Sequence, residues 1–249
     1  MFLAIDIGNT NIVYAVHDGA AWKCVSRQTT NRNASVAQLS EQIATVAREK
    51  IAQVGIASVV PMLDAAMSDA VTAACGVTPN FATTATYPYP IRYPKPEEIG
   101  ADRLADAAGA LAKYSGPLLI IDFGTATTFD YIGADGAYYG GPIAPGILLG
   151  KQALSAAAAK LPDIEFALVD QLLPTTTAHA MQAGLYFGAI GAVKEIVRRM
   201  QNEIGAPLHI IATGGLAASI VPALDFPVTL EPQLTIEGIR CLLQRVILA

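Results

Sequence analysis

The sequence predicts an α/β protein made of two duplicated β-β-β-α-β-α halves with mixed sheets, facing a central cleft. Three observations carry that prediction. Residues 5–19, IDIGNTNIVYAVHDG, return at residues 121–136 as IDFGTATTFDYIGADG, with Asp6 matching Asp122 and Gly8 matching Gly124 at one constant offset. Each copy reaches an Asp-Gly pair, Asp18-Gly19 and Asp135-Gly136, which is a hairpin turn signal between strands. After each copy, helical spacings alternate with short apolar strands. Two similar units follow, 1–115 and 116–249.

The elements follow in order. A short apolar strand ends at Asp6-Ile7-Gly8, and two more strands, rich in β-branched and aromatic residues, complete the first hairpin unit. Residues 34–50 are predicted helical, because Val36, Leu39, Ile43 and Val46 recur at three- and four-residue spacings. Residues 54–59 read as a buried strand, Pro61 opens a second helix and Gly76 closes it. In YPYPIRYPKP, residues 87–96, four prolines forbid a helix and disfavour a central strand. That extended segment leads into a helix at 99–114, with Leu104, Ala108 and Leu111 on one face. The second unit adds helices near 146–159 and 177–203, a strand at 208–212, and the turn Thr213-Gly214-Gly215. A short helix, a strand near 226–230 and a terminal helix at 235–248 complete it.

Composition excludes several classes. The 249 residues are 53% hydrophobic and only 15% charged, which is incompatible with a disordered chain. A mean hydropathy of +0.41 raises the question of a membrane span. The most apolar stretch, 178–193, is interrupted by His179 and Gln182 and closed by Lys194-Glu195. It falls short of the roughly 20 apolar residues a bilayer requires. MFLAID has no basic segment before an apolar one and no small-residue cleavage site, so no signal peptide is expected. Cys24, Cys75 and Cys241 lie far apart without C-x-x-C spacing and read as small buried hydrophobes in a reducing compartment. A net charge of −5 without a Lys/Arg cluster argues against nucleic acid as a partner. The expectation is a cytoplasmic protein with a small-molecule ligand and no membrane contact.

The common phosphate loops are missing. Gly146-Ile-Leu-Leu-Gly150-Lys151-Gln152 is one residue short of a P-loop and lacks its Ser/Thr. No G-x-G-x-x-G follows a strand, and no protein-kinase catalytic loop occurs. What remains is the pair of Asp-x-Gly turns. Gly8 and Gly124 permit close backbone approach to a phosphate, while Asn9, Thr10 and Thr125 bring hydrogen-bond donors. Asp6 suits a hydrated Mg²⁺ bridging phosphate oxygens.

At this point the chain resembles the superfamily of acetate and sugar kinases, heat-shock chaperones and actin. Its members combine two such turns with a Gly-Gly adenosine turn, which Ala212-Thr213-Gly214-Gly215 matches. Within that group it resembles the type III pantothenate kinases over nearly its whole length. The strings that carry this are DIGNTN at 6–11, SVVP at 58–61, GADR at 100–103, DFGTATTFD at 122–130, GGPIAPG at 140–146, Thr177 with Gly184, and ATGG at 212–215. The implied fold is the actin-like ATPase fold with ribonuclease H-like halves. The first half would carry one phosphate turn and GADR, the second the other phosphate turn and the adenosine turn.

The resemblance implies roles residue by residue. Asp102 would be the general base for the substrate hydroxyl. Tyr93, Gly100, Ala101, Asp102 and Arg103 would contact pantothenate, with Arg103 a partner for its carboxylate. Thr177 would reach pantothenate across the interface of a homodimer. ATP would be held by Asp6, Ile7, Gly8, Asn9, Thr10, Asn11, Ile12, Val13 and Thr125, and by Thr213, Gly214 and Gly215. Mg²⁺ would lie near Asp6, through water, and Asp122 would bind the monovalent cation, K⁺ or NH₄⁺. The implied activity is ATP-dependent phosphorylation of pantothenate to 4′-phosphopantothenate, the first step of coenzyme A synthesis. Alternatives in the same fold are a non-catalytic nucleotide-binding regulator and an ATP or polyphosphate hydrolase.

Plainer readings stand beside these. Asp102 opens a helix whose dipole favours an ionised carboxylate, and Asp106 one turn later is a rival carboxylate or a solvated or structural residue. Asp122 has the alternative reading of a turn cap, Tyr93 of packing against proline rings, and Thr177 of an N-cap. Trp22, Tyr186 and Phe187 read as core or interface. Two departures from the family pattern stand out: Pro142 inside GGPIAPG, and a short 31–50 segment without the usual acidic residue.

Overall fold

The computed structural model describes residues 1–158 and 160–247, so Ala159 and Leu248, expected at helix ends, lie outside the described residues, as does the side chain of Cys24. The chain packs as two compact units. One joins Met1–Tyr114 to Gln233–Ala249, and the other is Ser115–Pro232.

The first unit opens with β1 (Phe2–Ile7), β2 (Asn11–His17) and β3 (Trp22–Thr29), an antiparallel meander. Its hairpin turn is set by Asp18, whose carboxylate accepts the N–H groups of Ala20 and Ala21, both at 2.8 Å. Helix α1 (Val36–Val46) starts at a reciprocal capping box between Ser35 and Gln38. Then come β4 (Gln53–Ser58), α2 (Pro61–Cys75) and β5 (Asn80–Phe81). Pro61 heads α2 and Gly76 ends it at φ 71°, as the sequence predicts. Residues 87–95 form no helix and no strand beyond an isolated bridge at Ile91, and a single 3₁₀ turn at Pro96–Glu98 leads into α3 (Ala101–Lys113). The strand order is β3-β2-β1-β4-β5, with β4 parallel to β1 and β5 parallel to β4.

Alternation along β1 divides the two faces of this sheet. Leu3, Ile5 and Ile7 join the core made with Leu39 and Ile43 of α1 and Leu63 and Met67 of α2. Phe2, Ala4 and Asp6 therefore point to the opposite face.

The second unit repeats the arrangement with β6 (Leu118–Phe123), β7 (Ala126–Ile132), β8 (Tyr138–Gly140), β9 (Ile143–Pro145), α4 (Ile147–Ala157), α5 (Thr177–Ile204), β10 (His209–Thr213), α6 (Ala217–Ile220) and β11 (Thr229–Leu230). The order β8-β7-β6-β10-β11 reproduces that of the first sheet, and β9 adds a sixth strand through β7. The second Asp-Gly turn forms as well, with Gly136 at φ 75° and Asp135 accepting the Ala137 N–H. Leu119, Ile121 and Phe123 face the core built with Ile190, Val193 and Val197 of α5, so Asp122 lies on the other face. Asp6 and Asp122 are thus equivalent: each is penultimate in the central strand of its sheet, on the face away from that core.

The terminal helix α7 (Leu234–Ile247) belongs to the first unit, where it packs on α3, β1 and β4. Its crossing with α3 is close. A side chain at Gly238 would run into the Ala105 backbone, and one at Gly109 would come within 2.6 Å of the Leu234 carbonyl. Among the described residues no helix is long and apolar enough to cross a membrane, and the apolar stretch at 178–193 is part of α5. Tyr186 and Phe187 pack against the second core. Trp22 donates to Glu237 of α7 at 3.1 Å. Cys75 and Cys241 form no disulfide and are only partly buried, so the full burial expected of them is not reached.

Candidate active site

In the first unit, β1 delivers Asp6 and Ile7 to a three-residue turn before β2. The turn is closed by the Gly8 N–H donating to the Asn11 carbonyl at 2.9 Å. Thr30 braces it twice: its hydroxyl donates to the Gly8 carbonyl at 2.6 Å, and its N–H donates to the Thr10 carbonyl at 2.9 Å. Arg32 donates to the Asn9 side-chain oxygen at 3.0 Å, bringing a guanidinium to the rim of the turn. Asn9 and Thr10 are exposed, and Asp6, Gly8 and Asn11 are partly so. Ile7, Ile12 and Val13 are buried, leaving only backbone for a ligand. Sequence reading missed Thr30 and Arg32, because nothing in TTNRN reveals that the end of β3 returns beside Gly8.

The GADR segment is tied to this turn through SVVP. Val59 donates its N–H to the Ile7 carbonyl at 3.0 Å, and its side chain lies 3.4 Å from where a Cβ at Gly100 would be. Gly100 is the N-cap of α3. Asp102, at the second helical position, folds back so that its carboxylate fills the space a Gly100 side chain would need and accepts the Arg103 N–H at 2.8 Å. The carboxylate thus sits at the positive end of α3, where its ionised form is favoured. Arg103 is buried and Tyr93 is partly exposed in the extended segment before the helix. Asp106 is buried and accepts the Thr235 hydroxyl at 2.7 Å. It is therefore a structural residue of α3, not a solvated one.

In the second unit, the turn after β6 is one residue shorter, with the Gly124 N–H donating to the Ala126 carbonyl at 3.0 Å. Thr125 is exposed at its tip, and its carbonyl accepts the Gly146 N–H at 3.1 Å. Gly146 caps α4, and a side chain there would strike the Gly124 and Thr125 carbonyls, so only glycine lets the helix start against the turn. Gly214, at φ 92°, brings the 213–215 turn onto Asp122 and Phe123. Thr213 is buried and pairs in register with Asp122, while Gly215 is exposed. Asp122, Gly124, Thr125, Gly146 and Gly214 therefore form one cluster. Thr177 is exposed at the first position of α5. The cap itself is Thr176, whose hydroxyl accepts the His179 N–H, which corrects the N-cap expectation for Thr177.

The residues fit the implied cations. Among the described residues no three His, Cys, Asp or Glu side chains converge as a metal cage. A divalent ion near Asp6 would find a carboxylate at the edge of an exposed turn and would take its remaining ligands from water and phosphate oxygens. Asp122 would offer a monovalent cation a carboxylate oxygen, a hard donor of the kind such ions take.

The sequence profile of type III pantothenate kinases matches residues 2–199. This chain belongs to the type III pantothenate kinase family. The type III pantothenate kinase of Moorella thermoacetica is 39% identical over 256 residues, covering 98% of this chain and 99% of that protein. That of Desulfosudis oleivorans is 41% identical over 248 residues, covering 96% and 97%. The fold extends further: the ethanolamine utilization protein EutJ of Carboxydothermus hydrogenoformans superposes with a TM-score of 0.55 at 16% identity, over 96% of this chain and 89% of that one. Family membership accounts for the spacing of turn, GADR and second turn along one chain.

Proposed function

We propose that this chain transfers the γ-phosphate of ATP to the hydroxyl of pantothenate, giving 4′-phosphopantothenate in the cytoplasm as the first step toward coenzyme A. The observation that carries the proposal is Asp102 at the N-terminus of α3, tied through Val59 to a phosphate turn, in a chain aligned end to end with type III pantothenate kinases. The first unit supplies Asp6 to Val13 for the phosphates and GADR for the acceptor. The second unit supplies Thr125 for phosphate and Thr213, Gly214 and Gly215 for the adenosine.

Asp102 orients the hydroxyl and accepts its proton at a carboxylate oxygen as the bond to phosphorus forms. An ionised carboxylate is a weak base, which suffices because a loose transition state releases the proton late. Tyr93, Gly100, Ala101 and Arg103 hold pantothenate, and Thr177 contacts the pantothenate of a second subunit. Mg²⁺ near Asp6 and K⁺ or NH₄⁺ at Asp122 supply positive charge to the phosphates when bound. Exposed Leu172 and Leu173 ahead of α5, with Leu148, Leu149 and Leu154 of α4, support a homodimer formed through the second unit.

One assay tests the function: purified protein with ATP, Mg²⁺ and K⁺, with and without pantothenate. ADP release that requires pantothenate supports the kinase. Release without pantothenate supports a hydrolase, and no release supports a nucleotide-binding regulator.

A further inference from the structure

Asp106 is the second carboxylate of α3, and the chemistry above does not use it. It is 1% exposed, one helical turn beyond Asp102, and accepts the Thr235 hydroxyl at 2.7 Å. A carboxylate carries a desolvation cost at such a site, and two aliphatic side chains would fill the same space without it. What the polar pair adds is geometry, because a hydrogen bond fixes one register of α7 on α3. The glycines act the same way. Gly238 lies on the Ala105 backbone and Gly109 lies under the Leu234 carbonyl, so sliding α7 by one residue would drive a side chain into the α3 backbone. α7 also grips the sheet: Ile239 and Phe2 close over Gly55, at 2.9 and 3.1 Å from its Cβ position. Phe2 shares its face of β1 with Asp6. One helix therefore supports both the strand that carries Asp6 and the helix that carries Asp102.

We propose that α7 is a positioning clamp for the first turn of α3, with Thr235 and Asp106 as positioning residues that fix Asp102 and Arg103. The proposal rests on the kinase reading of Asp102. The Thr235–Asp106 bond holds the second turn of α3, and the second turn holds the first, whose opening bond runs from the Leu104 N–H to the Gly100 carbonyl at 3.2 Å. Loosening that turn misplaces the Asp102 carboxylate without touching the turn that binds ATP.

The test compares Thr235→Val, which keeps the shape and removes the donor, with Thr235→Ser, which keeps the donor, both in the full chain. Thr235→Val is expected to speed amide exchange at residues 101–104 and lower kcat, each by about 10-fold, with the Kd of a non-hydrolysable ATP analogue unchanged. Thr235→Ser is expected to behave as wild type in all three. Exchange and kcat in Thr235→Val equal to wild type overturn the proposal, as do equal losses in both variants. So does a weaker nucleotide Kd that accompanies the lost turnover, which marks general loosening. A wild-type protein without pantothenate-dependent ADP release defeats the kinase reading instead, and the exchange at residues 101–104 still decides whether the clamp exists.

Discussion

The Asp122 carboxylate occupies the space that a side chain at Gly214 would require. Phe123 backbone atoms close the same space within 2.7 Å, and Gly214 holds φ 92°. The 213–215 turn, proposed to hold adenosine, thus leans directly on the aspartate proposed for the monovalent cation. Gly214→Ala is expected to destabilise the fold by about 1–2 kcal/mol from backbone conformation alone. It also displaces Asp122 and weakens nucleotide binding. Thermal unfolding and calorimetric titration of an ATP analogue measure the two effects; unchanged nucleotide affinity would show that the turn does not bind adenosine.

Asp102→Asn keeps the bond to the Arg103 N–H and removes the proton acceptor. Turnover should fall by about 10²–10⁴-fold while ATP affinity is retained. Near-normal kcat in this variant removes Asp102 from the base role.

Arg32 brings a cation to Asn9 on the first Asp-x-Gly turn, proposed to hold phosphate. Arg32→Ala is expected to weaken ATP binding by about 10-fold, or 1.4 kcal/mol. Raising the ionic strength should weaken ATP binding in the wild type more than in the variant. An equal salt response in both would place the guanidinium away from the phosphates.

The hairpin and α7 meet at a titratable cluster of His17, Trp22, Glu237 and Arg240. Burial, then the Arg240 charge, lowers the His17 pKa below its ordinary 6.5, outweighing the opposing charges of Glu237 and Asp18. Burial raises the Glu237 pKa, but the bond and charge of Arg240, with smaller help from the Trp22 indole and His17, hold it below 4.5. Both groups take up protons more readily when unfolded. Stability therefore rises with pH across each window: it is lost as pH falls below about 6.5 through His17, and again below about 4.5 through Glu237. Melting temperatures from pH 8 to pH 4 should fall in two stages, and His17→Gln should remove the first.

Much of the fold was legible in the residues. The repeat around Asp6 and Asp122 gave two units with matching strand order, since a strand ending at Asp-x-Gly and a turn at Asp-Gly are local signals. Pro61 and Gly76 bounded α2 because each acts through its own backbone angle. The Asp-x-Gly turns and the GADR string, proposed for phosphate and pantothenate, were equally local signals. Three features were not. Thr30 and Arg32 reach Gly8 and Asn9 from the far end of another strand. Asp106 is seen to be structural once α7 brings Thr235 to it. The cap of α5 fell on Thr176, not Thr177, a choice among three consecutive threonines that composition does not make.

By itself, then, the sequence determined the element order and the two turns, and it nominated the residues proposed for ATP and pantothenate. Tertiary structure decided which of them touch. It set Gly214 against Asp122, Val59 between Ile7 and Gly100, and α7 on α3 in the first unit. The reason is physical: periodicity and turn chemistry act within a few residues, whereas a close backbone approach depends on what another segment, far away in the chain, leaves room for.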